Sequence, residues 1–319
     1  MTIYLITAYD FNHGINSRTK QPLDDRFLKS NRNYQYYLID EGVPDILRSK
    51  SVLFEKKIDP QLAIAGKKHF GEWAFLLAEA KHSFCKYPFF MVSSRFYQKN
   101  NWIYSDLNKE WDTLFQYLER YGWGFLPSYD RPLRWIDLKW KNKIGKPYLF
   151  FPFTEKTFHL LQDLYQVQIP DQYTATSDLF CNYIGFHSRE HLLSYVNFYQ
   201  PLVETFFDEN YNLKIDISEY ASSTGHFQNE KPFTFILELF SHLFFYKTEK
   251  PFFTLHYDGY YEVNESKKTM SRIKKFPLTL STKANRFFDW QWRKVKTDGV
   301  LAPLFFNLGK IKRKYLSKK

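Results

Sequence analysis

Lys81–Asn101, KHSFCKYPFFMVSSRFYQKNN, is the stretch whose reading decides the fold. It leaves the end of an amphipathic helical pattern, enters a compact apolar segment from Tyr87 to Val92, and breaks into Ser93, Ser94, Arg95, Phe96 and Tyr97. A short apolar run bounded by polar residues predicts a buried strand. Open α/β sheets bind ligands in the crevice beyond the carboxyl ends of their strands. A strand that opens onto Ser, Arg and Tyr therefore predicts a ligand-binding position.

Outward from this strand the chain alternates. Before it, Phe70, Trp73, Leu76, Leu77 and Ala80 recur at the spacing of one helix face over residues 68–84, with Glu72 near the positive end of the dipole. After it, Asp106 is placed to cap a helix carrying Leu107, Trp111, Leu114, Phe115, Leu118 and Tyr121 on one face, with Gly122 past its end. Further strands are predicted at residues 3–8, 51–54, 123–126, 148–151, 179–186 and 252–257. Helical patterns run through Phe27, Asn31, Tyr34 and Leu38, over residues 154–166, from a Ser188 cap onward, and over residues 233–246. Alternation of this kind without an internal repeat predicts an α/β fold with a mainly parallel central sheet flanked by helices.

Composition bounds the function. The 319 residues are 44% hydrophobic and 25% charged, as expected of a globular chain, but 20% are aromatic. That surplus fits either a core built on Phe and Tyr or ring-lined clefts that stack on bases and sugar faces. Two cysteines, Cys85 and Cys181, make no disulfide framework and predict a reducing compartment. The first residues lack a basic leader, and no stretch approaches a membrane span, so the expected location is cytoplasmic.

The net charge of +11 is concentrated at one end. Residues 283–319 carry eleven Lys or Arg against two Asp, which leaves +2 for the preceding 282 residues. The expected organisation is an α/β domain over residues 1–265 and a basic helical extension over 266–319. In the extension Leu301, Leu304, Phe305, Leu308, Ile311 and Tyr315 recur at helical spacing beside Lys310, Lys312, Arg313, Lys314, Lys318 and Lys319. A basic amphipathic helix fits an anionic membrane surface; it equally fits a helix packed on the body with a solvated end. A body of nearly balanced charge argues against a nucleic-acid partner.

Several chemistries are excluded by missing motifs. Neither G-x-G-x-x-G nor a Walker sequence occurs, no Cys/His spacing suits structural zinc, and there is no G-x-S-x-G elbow. What remains is polar residues at strand ends. Asp10, Asn12 and Arg18 follow the first strand, Ser94, Arg95 and Tyr97 the central one, Asp130 a later one, and His256 with Asp258 the last. Each alone is an ordinary turn residue; their common position makes them candidates together.

GEWAFLLAEAKHSFCKYPFFMVSSRFYQKN, residues 71–100, resembles a segment of a bacterial glycosyltransferase-like domain family of unknown function, encoded in capsule and O-antigen clusters. In that family a helix with an early Glu, an apolar strand and an H-Y-R-R-Y-F-like cluster follow one another. Glu72 matches the helix carboxylate and Ser94, Arg95, Phe96 and Tyr97 the cluster, with Ser93 and Ser94 standing where the family has His and Arg. CNYIGFHSREHLLSYVNFYQPLVETFF, residues 181–207, resembles its Asn-Met strand and following helix, matching at Asn182 and Tyr195. The run Leu237–Ser241 is similar to its later Ser-Glu-Arg helix, in a different residue order.

The resemblance implies a GT-A-like fold and transfer of a sugar from a nucleotide-diphosphate donor to a polysaccharide or lipid-linked acceptor. Such a reaction stabilises a departing diphosphate, through Mg²⁺ or Mn²⁺ or through basic side chains. No D-x-D triplet follows a central strand, and His256 with Asp258 is the better metal candidate. Asp10, Asn12, Arg18, Ser94, Arg95 and Tyr97 are the donor-binding candidates, Arg95 by a bidentate phosphate contact. Glu238, four residues before His242 in the 233–246 pattern, Asp130 and Asp258 are the carboxylates available as a base, with Glu238 and Asp130 the candidates, though Glu238 equally fits a solvated residue or a buried partner of an Arg. Two other functions fit the same residues: a non-catalytic glycan-binding protein, and a nucleic-acid-associated protein using the basic extension.

Overall fold

The computed structural model describes residues 1–7, 9–10, 15–16, 34–38, 52–93, 101–126, 155–167, 183–220, 232–241, 243–255, 260–266 and 269–275. Its strands are β1 (Thr2–Thr7), β2 (Tyr9–Asp10), β3 (Ile15–Asn16), β4 (Tyr34–Leu38), β5 (Val52–Phe54), β6 (Phe89–Ser93), β7 (Trp123–Phe125), β8 (Ile184–Phe186), β9 (Phe252–Leu255), β10 (Tyr260–Ser266) and β11 (Thr269–Lys275). The helices are α1 (Glu55–Ile58), α2 (Pro60–Ala65), α3 (Trp73–His82), α4 (Asn101–Tyr121), α5 (Glu155–Tyr165), α6 (Arg189–Phe206), α7 (Pro232–Leu239) and α8 (Leu243–Thr248). A π-turn, Gly66–Phe70, joins α2 to α3.

The main sheet has the order β11-β10-β9-β7-β8-β6-β1-β4-β5. Parallel ladders join β1 to β4 and β6, β4 to β5, and β7 to β9. Antiparallel ladders join β8 to both β6 and β7, and β10 to both β9 and β11. The fold is therefore α/β with a mixed sheet, in place of the mainly parallel one expected from alternation. The cause is local: β8 and β10 are reversed strands placed between co-directional neighbours, and each turns two ladders antiparallel.

The core is aromatic, which answers the question raised by composition. Side chains alternate across β6. Phe89 sits edge-on to Tyr4 at 5.2 Å, while Phe90 faces the other way and meets Phe115 of α4 at 5.3 Å. Over the Phe89 face lie α3 and α6, joined by Trp73 stacked on Tyr195 at 5.4 Å and edge-on to Tyr199 at 5.2 Å. All of these rings are buried, and each contributes about 1.5–3 kcal/mol of apolar transfer free energy.

Local signals explain most boundaries. Ser188 caps α6 by accepting from the His191 N–H, and α6 continues through Pro201 to Phe206. Gly122 ends α4 at φ +83°, a left-handed value that glycine adopts without strain. Four expectations change. Tyr34–Leu38 is strand and not helix, because the segment pairs in register with β1. Helix α4 begins at Asn101, so Asp106 lies inside it. The 233–246 run is two helices, α7 and α8, the first ending at Leu239 and the second beginning at Leu243. The first part of the expected basic extension, Thr269–Lys275, is strand β11; the rest of the extension lies outside the described residues, as does the strand expected at 148–151.

The chain clusters into two compact units. One comprises Met1–Lys99 and Asp112–Phe276, and holds the sheet. The other comprises Asn100–Trp111 and Pro277–Lys319, and its described part is the beginning of α4.

Candidate functional site

The ladder directions place the strand ends. β1, β4, β5, β6, β7 and β9 all run the same way, since β6 and β7 are each antiparallel to the β8 between them. Their carboxyl ends open along one edge of the sheet, where α/β proteins take their ligands. Strands β1, β6, β7 and β9 are the four that the candidate polar residues follow.

Asp10 is the last residue of β2 and pairs with Ile15 of β3, forming a two-stranded hairpin just beyond the end of β1. Asn12, between those strands in sequence, and Arg18, two residues past β3, lie outside the described residues. So do Ser94, Arg95 and Tyr97, which follow Ser93 at the end of β6, and Asp130, four residues past Leu126. His256 and Asp258, directly beyond Leu255, are outside them too. Glu238 is in α7, which ends at Leu239. His242 lies outside the described residues. Among the described residues no group of three or more His, Cys, Asp or Glu side chains is arranged to hold a metal ion.

Two positions carried by the family resemblance are inside the core. Glu72 is buried at the start of α3. Tyr195 is buried and donates its hydroxyl to the Ser241 carbonyl at 3.2 Å. Tyr199 has its hydroxyl 2.8 Å from the Phe240 carbonyl and 2.7 Å from that of Ser241, and accepts from the Phe244 N–H at 3.1 Å. These two tyrosines satisfy the backbone groups exposed where α7 breaks into α8. Burial pushes both phenols far above their usual range.

Two buried carboxylates, not singled out by the sequence reading, organise the approach to β6. Glu79 is fully buried near the end of α3 and accepts from the Phe84 N–H at 2.7 Å, the Cys85 N–H at 2.8 Å and the Tyr87 hydroxyl at 2.8 Å. Tyr4 accepts from the Lys86 N–H at 2.8 Å in the same loop. Burial, then the Glu79 carboxylate, pushes the Cys85 thiol far up, so it is a packed and unreactive sulfur. Burial and the hydrogen bond to Glu79 do the same to Tyr87. Glu79 thus fixes the loop that feeds β6 and, through β6, the position from which Ser94–Tyr97 depart.

Asp59 caps α2, accepting from the Leu62 N–H at 3.0 Å, and its other oxygen lies 2.8 Å from Lys81 Nζ and 2.9 Å from His82 Nε2. Burial opposes its charge, but these donors prevail and hold its carboxyl at about 2. The Asp59-Pro60 pair is the sequence signal for this cap.

At the opposite edge of the sheet, where β8 ends, His191 Nδ1 lies 2.7 Å from Ser188 Oγ and the imidazole meets the Trp123 ring at 4.4 Å. Burial, then the neighbouring His187, lowers its pKa and keeps it neutral. The cluster packs the start of α6 onto β7. No helix among the described residues is long and apolar enough to cross a membrane. No family model matches the chain, and no curated protein and no solved structure matches it.

Proposed function

We propose that the protein is a glycosyltransferase that moves a sugar from a nucleotide-diphosphate donor to a polysaccharide or lipid-linked glycan. One observation carries the reading. The four strands that lead into the candidate polar loops, β1, β6, β7 and β9, end along a single sheet edge. The resemblance of residues 71–100 and 181–207 supplies the chemistry, and a set of co-directional strands with one reversed member between β6 and β7 is compatible with the GT-A-like architecture it implies.

On this reading the acceptor hydroxyl oxygen forms a bond to the anomeric carbon as the bond from that carbon to the donor's phosphate oxygen breaks. The diphosphate leaves with the electron pair, and the acceptor proton passes to a carboxylate, Asp130 or Glu238. Arg95 receives the negative charge that develops on the diphosphate, with Ser94 and Tyr97 beside it, and Asp10, Asn12 and Arg18 hold the nucleotide. A divalent cation, when held at His256 and Asp258, supplies further neutralisation of the phosphates. The basic extension would bring the enzyme to the inner membrane face, beside lipid-linked acceptors, with the catalytic domain in the cytoplasm.

The test is hydrolysis or binding of UDP-, GDP- and CMP-sugars by the purified protein, with and without Mn²⁺. Slow release of free sugar from one donor class supports the proposal. Absence of binding to every donor under both conditions overturns it.

A further inference from the structure

A second concave site lies away from the strand-end loops. The outer face of α2 and its π-turn, with the turn after α6, encloses a surface groove of about 500 Å³. Two of the exposed large apolar side chains among the described residues, Ile64 and Leu213, stand on its walls. Gln61, Lys68, His69, Asn210, Tyr211 and Asn212 line it as well, so most of the lining residues are polar.

The turn is built with care for one residue. Phe207 and Leu213 form a β-bridge, and Asp208 accepts from the N–H groups of Asn210 at 2.9 Å and Asn212 at 2.8 Å. The Asn212 amide donates to the second Asp208 oxygen at 3.1 Å. These bonds hold Tyr211 at φ +60°, a left-handed conformation that a bulky side chain adopts at a cost. Backbone strain kept by surrounding hydrogen bonds marks positions where a side chain has to be presented in one place. Tyr211 lines the groove while its ring packs against the core, edge-on to Phe70 at 5.8 Å and with Lys81 Nζ over it at 5.8 Å.

We infer that this groove is a saccharide-binding site. A ring face takes the C–H surface of a pyranose, and carboxamides, which donate and accept at once, match hydroxyls that do the same. The Gln61 and Asn210 side chains make no hydrogen bond among the described residues, so both are available to a ligand. Among the described residues no carboxylate lines the groove and Lys68 does, which extends the ligand class to sugars bearing a carboxyl group. The inference neither needs nor tests the transferase reading, because its ligands carry no nucleotide.

Saturation-transfer NMR on the full chain with maltotriose, chitotriose and trigalacturonate is the test. Transfer to at least one of the three is expected, and it should be lost in Gln61→Ala and Ile64→Arg, both exposed positions whose substitution leaves the core untouched. Tyr211→Gly should also lose it while relieving the left-handed backbone. No transfer from any of the three sugars, or transfer that survives all three substitutions, overturns the inference.

Discussion

Phe90 of β6 and Phe253 of β9 meet edge to face at 6.3 Å across two intervening strands, over a pair of glycines. Phe90 is paired with Gly185 of β8, Gly185 with Gly124 of β7, and Gly124 with Phe253, so the four residues form one row across the sheet. A Cβ on Gly185 would stand 2.4 Å from the Phe90 ring, and one on Gly124 would stand 2.3 Å from the Phe253 ring. Each phenylalanine occupies the space its neighbour's missing side chain leaves. Gly124→Ala and Gly185→Ala should each cost about 1–3 kcal/mol through overpacking. Urea unfolding of the two variants checks this; unchanged midpoints would refute it.

The Tyr199 hydroxyl is the polar centre of the α7–α8 break. Tyr199→Phe keeps the ring contacts with Trp73 and Tyr195 but withdraws the hydroxyl from two carbonyls and the Phe244 N–H. The expected loss is about 1–3 kcal/mol, the cost of leaving buried backbone groups without a partner. Hydrogen exchange at Phe244 should quicken before that of β1, and equal protection in variant and parent would contradict the assignment.

Asp59 makes stability depend on acid in a defined window. Its folded-state pKa of about 2 lies below the ordinary value of 3.8, so the unfolded chain binds the proton first as pH falls. The stabilisation is complete above pH 4 and fades between pH 4 and pH 2. Asp59→Asn should be about 1–2 kcal/mol less stable at pH 7, through the weakened cap and the lost ion pairs. The gap should close by pH 2, as read from denaturation midpoints across the range; a gap independent of pH would show that the charge is not involved.

Arg95→Ala is the substitution that bears most directly on the proposed chemistry. Loss of a bidentate phosphate contact should weaken nucleotide-sugar binding by about 10- to 100-fold, the equivalent of about 1.5–3 kcal/mol. Calorimetry with the donor that the parent hydrolyses reads it out. An unchanged Kd would remove Arg95 from the donor site.

Deletion after Asp298 tests the basic extension separately. Flotation with vesicles containing anionic lipid should lose the truncated chain and retain the full one. Equal flotation would show that the positive charge at that end has another use. A salt-sensitive mobility shift of the full chain with DNA or RNA would point to that use.

The parts of the fold legible in sequence are those with local causes. The apolar runs of β1, β6 and β9 are short and bounded by polar residues, and Ser188 announces α6 in the ordinary way. Tyr34 and Leu38 recur at helical spacing after Phe27 and Asn31, yet Tyr34–Leu38 is strand β4, because pairing with β1 overrides that pattern. The α7–α8 break carries no Gly or Pro within it; it is held by a tyrosine about 40 positions earlier, which no window of sequence contains. The same holds for Glu79, whose partners are set by the loop it folds. At the candidate site the sequence located residues after strands, and the ladder directions brought those strands to one edge. Two residues matched by the resemblance, Glu72 and Tyr195, are buried, which a reading of the sequence did not foretell.

The reversed strand β8 has one more consequence. Because β7 runs toward the edge where β1, β6 and β9 also end and β8 runs away from it, the residue after β7 lies beside the residue before β8, where the Leu126 N–H donates to the Tyr183 carbonyl at 2.9 Å. The described part of the connection from β7 to β8 includes α5, whose Tyr165 ring stacks on Phe198 of α6. A connection that starts and ends at one edge can change in length without altering the pairing of β7 with β8.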